Sequence, residues 1–132
     1  MDIFKKLKEL DLPKDEYVVI GSGLLAAFSL REANDLDIVV SENLFTSLKE
    51  SGDYHVKEGV DYLYSKDNLV EIIPKLEFDK YPTTTQEAID GAETINGFPF
   101  LSILETIKFK TALGREKDSK DIKMLEEYMK NI

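Results

Sequence analysis

Two carboxylates separated by one apolar residue, Asp35 and Asp37, are the residues of this sequence best suited to do chemistry. Residues i and i+2 of a β-strand point to the same face, so both side chains project together, with Cα atoms roughly 6–7 Å apart. Neighbouring carboxylates repel each other, and a cation beside them keeps both ionised. Such a pair suits Mg²⁺, which takes one or two carboxylates together with substrate phosphates. The alternative is a strand end that carries two solvated aspartates.

A third carboxylate, Glu71, lies within an otherwise apolar segment, residues 69–73. Burying an unpaired charge is costly, so this carboxylate needs a partner or solvent. If the segment is a strand beside the Asp35 strand, Glu71 becomes a third metal ligand. If the segment is an edge strand, Glu71 faces solvent. Asp61 is the competing candidate for the third ligand.

The run Gly21-Ser22-Gly23 follows an apolar segment and precedes a predicted helix. Backbone N–H groups at such a turn can hold a phosphate, and the Ser22 hydroxyl can add a contact. The alternative is a tight turn that simply needs glycine. The run through Ala26 also matches a dinucleotide-binding fingerprint, with Glu42 about 20 residues further on. That interpretation is disfavoured, because the second half of the chain predicts a strand meander instead of further βαβ units.

The elements that must position these residues follow from apolar spacing and from turn residues. Helices are predicted at 3–10, 24–30, 41–49, 85–90, 101–113 and 119–130, and strands at 17–20, 36–40, 54–57, 60–64, 69–73 and 93–96. The strands between 54 and 73 predict an antiparallel meander. Gly114 is expected to end one helix and Asp118 to cap the next. The predicted fold class is α+β, with helices packed against a mixed central sheet.

Composition and charge narrow the classes of function. With 132 residues, 42% hydrophobic and 33% charged, the chain predicts one globular domain, 1–132, that ends in helices from about 101–131. The absence of cysteine excludes disulfides, thiolate metal sites and cysteine nucleophiles. No apolar run suits a membrane span or a signal peptide, which favours the cytoplasm. The net charge of −9 disfavours an extended nucleic acid as substrate.

At these residues the sequence resembles the nucleotidyltransferase superfamily, which has the DNA polymerase β-like fold. The signature of that family is an apolar residue, Gly, and Gly or Ser, followed after a spacer by Asp-apolar-Asp/Glu-apolar. The segments Ile20-Gly21-Ser22 and Asp35-Leu36-Asp37-Ile38 are similar to it. Small bacterial members often carry an Arg four residues before the first Asp, as Arg31 is here, and a Thr or Ser two residues before it, where this chain has Ala33.

The C-terminal segment is similar to a second motif of the same group. That motif is a Lys on a helix, followed by Arg-x-Lys-Asp-x-x-Asp-apolar. Here it reads Lys110, and then Arg115-Glu116-Lys117-Asp118-Ser119-Lys120-Asp121-Ile122. The resemblance covers about residues 17–125, and it is closest to the minimal nucleotidyltransferases and to the toxin-type relatives of abortive-infection systems.

The resemblance implies that a nucleoside monophosphate is transferred from a nucleoside triphosphate (NTP) to an acceptor hydroxyl, with Mg²⁺ or Mn²⁺ as cofactor. The acceptor would be a small molecule, a protein or an RNA end. Asp35 and Asp37 would hold the metals, while Glu71 would complete the site and act as general base. The residues implied to bind the nucleotide and its phosphates are Gly21, Ser22, Arg31, Lys110, Arg115 and Lys117.

Ordinary structural roles are the alternatives for the C-terminal residues. Lys110 lies on a helix with an apolar face and would then be solvated. Lys117-Asp118 would cap the last helix, and Asp121 in the first turn of that helix would complement the helix dipole. His55, the only histidine, is interpreted as structural. The rival function is a non-catalytic nucleotide-binding module or a toxin–antitoxin regulator with a partner protein. A dinucleotide-binding protein is the third possibility.

Overall fold

Seven strands in one mixed sheet and six helices make up the computed structural model, which describes residues 1–132. The helices are α1 (Ile3–Leu10), α2 (Ser22–Ala27), α3 (Glu42–Ser51), α4 (Thr85–Asp90), α5 (Ile103–Leu113) and α6 (Glu116–Lys130). The strands are β1 (Tyr17–Ile20), β2 (Leu36–Val40), β3 (Tyr54–Val56), β4 (Leu63–Ser65), β5 (Val70–Ile73), β6 (Glu93–Ile95) and β7 (Phe98–Phe100). The predicted α+β class is thereby confirmed. No helix has both the length and the apolar character needed to cross a membrane.

The strand order β3-β4-β5-β2-β1-β7-β6 places β2 at the centre of the sheet. Strand β2 pairs antiparallel with β1 and parallel with β5, while β1 pairs parallel with β7. The remaining pairs are antiparallel, and they include the predicted meander β3-β4-β5. The central position of β2 matters for the site, because it brings β5 directly beside the strand that carries Asp37.

Two apolar clusters fill the space on the two faces of the sheet. The larger one joins Leu36, Ile38 and Val40 of β2 to helices α1, α2, α3 and α6. The smaller one joins Val39 of β2 and Ile73 of β5 to α4 and to part of α5. Because side chains alternate along a strand, Asp37 and Glu71 lie on the face of the smaller cluster. The carboxylates therefore lie on the face of the sheet that α4 and α5 cover.

The sequence predicts only the first strand of the hairpin β6–β7, the strand before Gly97. Pro99 argues against a strand, because it cannot donate a ladder hydrogen bond. Asn96 and Gly97 both have positive φ, 50° and 84°. A two-residue Asn-Gly turn with positive φ at both positions is the commonest hairpin connection, so this dipeptide carried the missed signal.

The bounds of four helices differ from the prediction. The difference is small for α3, which runs from Glu42 to Ser51, whereas residues 41–49 were expected. Helix α2 begins at Ser22 and ends at Ala27, whereas residues 24–30 were expected. Helix α5 begins at Ile103, and Gly114 ends it in the left-handed conformation, as predicted. Helix α6 begins at Glu116, so the prediction that Asp118 is its N-cap is wrong. Asp118 is the third residue of the helix and accepts a hydrogen bond from the backbone N–H of Arg115, which occupies the cap position.

Candidate metal centre

Asp35, Asp37 and Glu71 converge at the point where β2 and β5 run side by side. Asp37 is the register partner of Glu71 across the two parallel strands, and Asp35 immediately precedes β2. One carboxylate oxygen from each of the three lies within 4.8 Å of the other two. All three residues are half-buried. This is the arrangement in which a single cation can contact three carboxylates. Asp61, the competing candidate, is exposed and lies outside the cluster.

Asp37 has a carboxylate oxygen that no donor of the protein contacts. Its Oδ1 atom is buried and has no hydrogen-bond partner. Burial, followed by the negative charges of Glu71 and Asp35, raises the pKa of Asp37 to about 7, and the charge of Lys110 offsets only part of this. A group of oxygen acceptors with no donor of its own fits a hard divalent cation, which prefers carboxylate ligands. The donor set therefore fits Mg²⁺ or Mn²⁺.

The Gly21-Ser22-Gly23 turn closes the site on the β1 side. Gly21 has a φ of 69°, and a Cβ atom placed on it would lie 3.6 Å from Oδ2 of Asp37. A Cβ atom on Gly23 would lie 2.6 Å from Cγ1 of Val19, which is too close for any side chain. The turn therefore needs glycine for conformation and for packing, and it brings backbone to the edge of the carboxylate cluster.

A cavity of about 360 Å³ opens above the carboxylates. It is lined by every residue that the family resemblance implies for the site, and also by apolar and aromatic residues that the resemblance does not include. The lining residues are Ile20, Gly21, Ser22, Arg31, Asp35, Asp37, Tyr62, Glu71, Ile73, Phe109, Lys110, Leu113, Arg115, Lys117, Asp118 and Asp121. Five carboxylates and four cations thus meet in one pocket.

A buried ion network forms the wall of the cavity opposite the sheet. Lys110, only 3% exposed, donates a hydrogen bond to Asp121 at 2.9 Å and lies 3.5 Å from an oxygen of Asp118. Arg31 donates two hydrogen bonds of 2.8 Å to the two oxygens of Asp121. Arg115 holds Asp118 in the same way, at 2.7 and 3.1 Å. The network therefore ties the segment before β2 to both C-terminal helices.

This network corrects the structural alternatives for the C-terminal residues. The interpretation of Lys110 as a solvated residue is wrong, because the side chain is buried and paired. Asp121 is likewise buried and bonded to Arg31 and Lys110, so complementing the helix dipole is not its main role. Arg31, Lys110 and Arg115 are all ion-paired, which leaves Lys117 as the one cation of the cavity wall without an ion pair.

The network predicts how stability depends on pH. Burial acts to raise the pKa of Asp121 and of Asp118, but hydrogen bonds from Arg31, Lys110 and Arg115 outweigh it, so both pKa values are lowered. A carboxylate with a lowered pKa in the folded state stabilises the fold above its unfolded pKa of about 4. That contribution is lost as the pH falls through the folded pKa. Urea unfolding is expected to give a free energy that decreases steadily over the interval below about pH 4, because Asp37, whose pKa is raised to about 7, acts in the opposite direction above that pH. A constant free energy over that interval would contradict this assignment.

Tyr62 and Phe109 are the aromatic cavity residues that sequence reasoning missed. Phe109 belongs to α5 and packs edge-on against Tyr81, with ring centroids 5.3 Å apart. Tyr62 lies just before β4, and no pattern in its neighbourhood singles it out. The structural interpretation of His55 agrees with its position, since its Nε2 atom lies 2.9 Å from Oδ1 of Asn68 and outside the cavity.

Comparison of the chain with protein-family models and with curated proteins gives no match. The functional argument therefore depends on the residues and geometry described above.

Proposed function

We propose that this protein is a Mg²⁺-dependent nucleotidyltransferase with a nucleotidyltransferase-like fold. It transfers a nucleoside monophosphate from an NTP to an acceptor hydroxyl. The observation that carries the proposal is the convergence of Asp35, Asp37 and Glu71 beside the Gly21-Ser22 turn. The order strand, Gly-Ser turn, helix, strand with an aspartate pair, and parallel strand with a third carboxylate supports the finer assignment of the fold. The cytoplasm, where NTPs and Mg²⁺ are abundant, is the proposed compartment.

Asp35, Asp37 and Glu71 are the residues that would hold the metal. When bound, Mg²⁺ or Mn²⁺ neutralises charge on the phosphates and orients the attacking and leaving oxygens. The carboxylates themselves are held in fixed positions at the base of the cavity, because β2 and β5 are paired along their length. The buried Oδ1 atom of Asp37 has no hydrogen-bond donor, and this supports the assignment because a bound metal ion would contact that oxygen in place of a donor.

In the proposed reaction, the acceptor oxygen forms a bond to the α-phosphorus of the NTP. The bond from that phosphorus to the bridging oxygen breaks, and pyrophosphate leaves with the bonding electrons. Glu71 takes the proton of the acceptor hydroxyl as general base. Gly21 and Ser22 contact the triphosphate at the β1 side of the cavity. Because the reaction involves little covalent chemistry by the protein, positioning and electrostatics carry most of the catalysis.

The cationic wall supplies the charge that faces the phosphates. Lys117 is exposed, free of ion pairs and at the mouth of the cavity. Lys110, Arg31 and Arg115 are held in place by Asp118 and Asp121, which fixes their positions before substrate arrives. Preorganised cations are effective in transition-state stabilisation because they need little rearrangement during the reaction.

A transfer assay tests this function directly. The full chain is incubated with Mg²⁺, with each of four α-labelled NTPs in turn and with a panel of hydroxyl acceptors, namely nucleosides, short RNAs and peptides. We expect label to move covalently onto at least one acceptor, with release of pyrophosphate and with loss of the reaction when the metal is chelated. If Mg·NTP binds tightly but the label is never transferred to an acceptor, the proposed enzymatic activity is contradicted.

One observation favours a second candidate, a nucleotide-binding or regulatory module of the same fold that acts with a partner protein. Three of the four cavity cations are already neutralised by Asp118 and Asp121, so they are less available to phosphates. Such a module would bind Mg·NTP without turnover. The same assay therefore separates the two candidates. The retention of all three carboxylates in one cluster favours the enzyme.

A further inference from the structure

A row of paired residues crosses five neighbouring strands on the face of the sheet that carries the site. From β1 to β3, the row consists of Ile20, Asp37, Glu71, Tyr64 and His55, each the register partner of the next. Cross-strand partners lie on the same face. A substrate that spans this face therefore meets the glycine turn first, the carboxylates next, and aromatic rings last.

The direction of the row assigns the two ends of the cavity to the two substrates. In phosphoryl transfer, the attacking and leaving oxygens lie roughly in line on opposite sides of the phosphorus. The leaving pyrophosphate belongs to the triphosphate, which the proposed function places at Gly21 and Ser22, next to β1. The attacking hydroxyl must then approach from the opposite side, at Glu71 on β5. The rest of the acceptor extends beyond Glu71, over β4.

The feature that lies there is the ring of Tyr62, two residues before Tyr64. Tyr62 is half-buried, packs against the apolar cluster that includes Ile73, and forms part of the cavity wall. Its hydroxyl makes no hydrogen bond within the protein, and its ring pairs with no other aromatic ring. A tyrosine fixed on one side and unpartnered on the other offers a surface on which a flat ring can stack.

Charge limits the size of the acceptor. Lys57 lies over the ring of Tyr64, with its Nζ atom 4.0 Å from the ring centroid, and it provides a positive charge beside β4. Glu58 and Asp61 are exposed on the same connection between β3 and β4. With a net charge of −9 for the chain as a whole, this surface repels a long polyanion. One phosphate group can be matched by Lys57, whereas a strand of phosphates cannot.

We propose that the acceptor is a nucleoside or a nucleoside 5′-monophosphate, whose base stacks on Tyr62 and whose sugar hydroxyl lies at Glu71. This inference rests on the proposed function and names the acceptor class for it. Tyr62 is a binding residue for the acceptor and takes no part in holding the NTP. Nucleosides and nucleoside monophosphates share the base and the hydroxyl, and a comparison of the two shows whether Lys57 contributes.

The test measures binding of adenosine and of AMP to the full chain, with Mg²⁺ and α,β-methylene-ATP present to fill the donor site. Tyrosine ring resonances are followed by NMR during each titration. We expect the Tyr62 resonance to shift with both ligands, and Tyr62→Ala to weaken both about tenfold. Tyr62→Phe keeps the ring and removes only the hydroxyl, so it is expected to retain affinity within about twofold, which also controls for folding.

Several outcomes would overturn the inference. Adenosine and AMP affinities that are the same in Tyr62→Ala and in the parent chain would do so. A loss of Mg·ATP affinity in Tyr62→Ala, with binding of inorganic tripolyphosphate unchanged, would assign the ring to the donor base instead. Stronger binding of a tetranucleotide or of a tyrosine-containing peptide than of AMP would assign another acceptor. Failure of the parent chain to bind Mg·ATP at all is a different result, and it would overturn the proposed function itself.

Discussion

The Asp37→Asn variant is expected to lose transfer activity and most of its affinity for divalent metal. The substitution keeps the size of the side chain and removes the central charge of the cluster formed with Asp35 and Glu71. Loss of an outer-shell partner of a metal ligand already lowers affinity or activity roughly 10–100-fold. Loss of a ligand itself is therefore expected to exceed about a hundredfold. Mn²⁺ binding measured by electron paramagnetic resonance and the labelled-NTP assay check both parts.

Asp61→Asn is the matched control, since it makes the same chemical change at an exposed residue that lies outside the cluster. It is expected to behave like the parent chain. Without metal, Asp37→Asn is also expected to unfold at a higher urea concentration than the parent, because it removes a buried charge next to two others. Equal metal binding by the Asp37→Asn variant and the parent would contradict the site, and equal loss in Asp61→Asn would point to Asp61 as a ligand.

Asp121→Asn is expected to have the largest effect on folding. Asp121 is buried and accepts hydrogen bonds from Arg31 and Lys110, and Lys110 is itself 3% exposed. Removing one partner of a buried ion pair typically costs about 3–5 kcal/mol. The loss here is expected at the lower end of that range, because Lys110 keeps Asp118 at 3.5 Å. The free energy of unfolding in urea measures this directly. Asp90→Asn, at an exposed helix residue, is expected to change it by less than about 0.5 kcal/mol.

A triple variant separates the burial penalty from other effects of the substitution. Arg31→Met and Lys110→Met combined with Asp121→Leu remove the three charges that meet at Asp121 and keep the volume apolar. Such replacements of buried ion groups are often neutral or stabilising, so the triple variant is expected to regain much of the stability lost in Asp121→Asn. If the triple variant is less stable than Asp121→Asn, the ion network is not the source of the loss.

Most of the fold could be predicted from local patterns. Helices α1 and α4 have the predicted bounds, 3–10 and 85–90, because the end of a helix is decided by a few neighbouring residues. The pairing of β2 with β5 could not be predicted with the same support. It joins segments more than thirty residues apart, and a shift of one residue in register would turn Glu71 to the opposite face.

The residues of the candidate site also divide into those found from local patterns and those that depend on packing between distant segments. Asp35 and Asp37 are found from spacing alone, since Asp37 belongs to β2 and Asp35 immediately precedes that strand. The ion pairs of Lys110 and Arg31 with Asp121 depend on how α6 packs against α5 and the segment before β2, which no local pattern specifies. Tyr62 could not be predicted as a site residue for a similar reason. It lies just before β4, and the pairing of β4 with β5 brings it to the cavity.

Calorimetric titration of the full chain with ATP, in the presence and absence of Mg²⁺, tests the central claim most directly. The claim is that the carboxylates of Asp35, Asp37 and Glu71 hold a metal that in turn holds phosphates. It predicts ATP binding that requires the metal, because without it the phosphates would face three carboxylates. ATP binding of equal strength with the metal chelated, or metal-independent binding of NAD⁺, would contradict the claim.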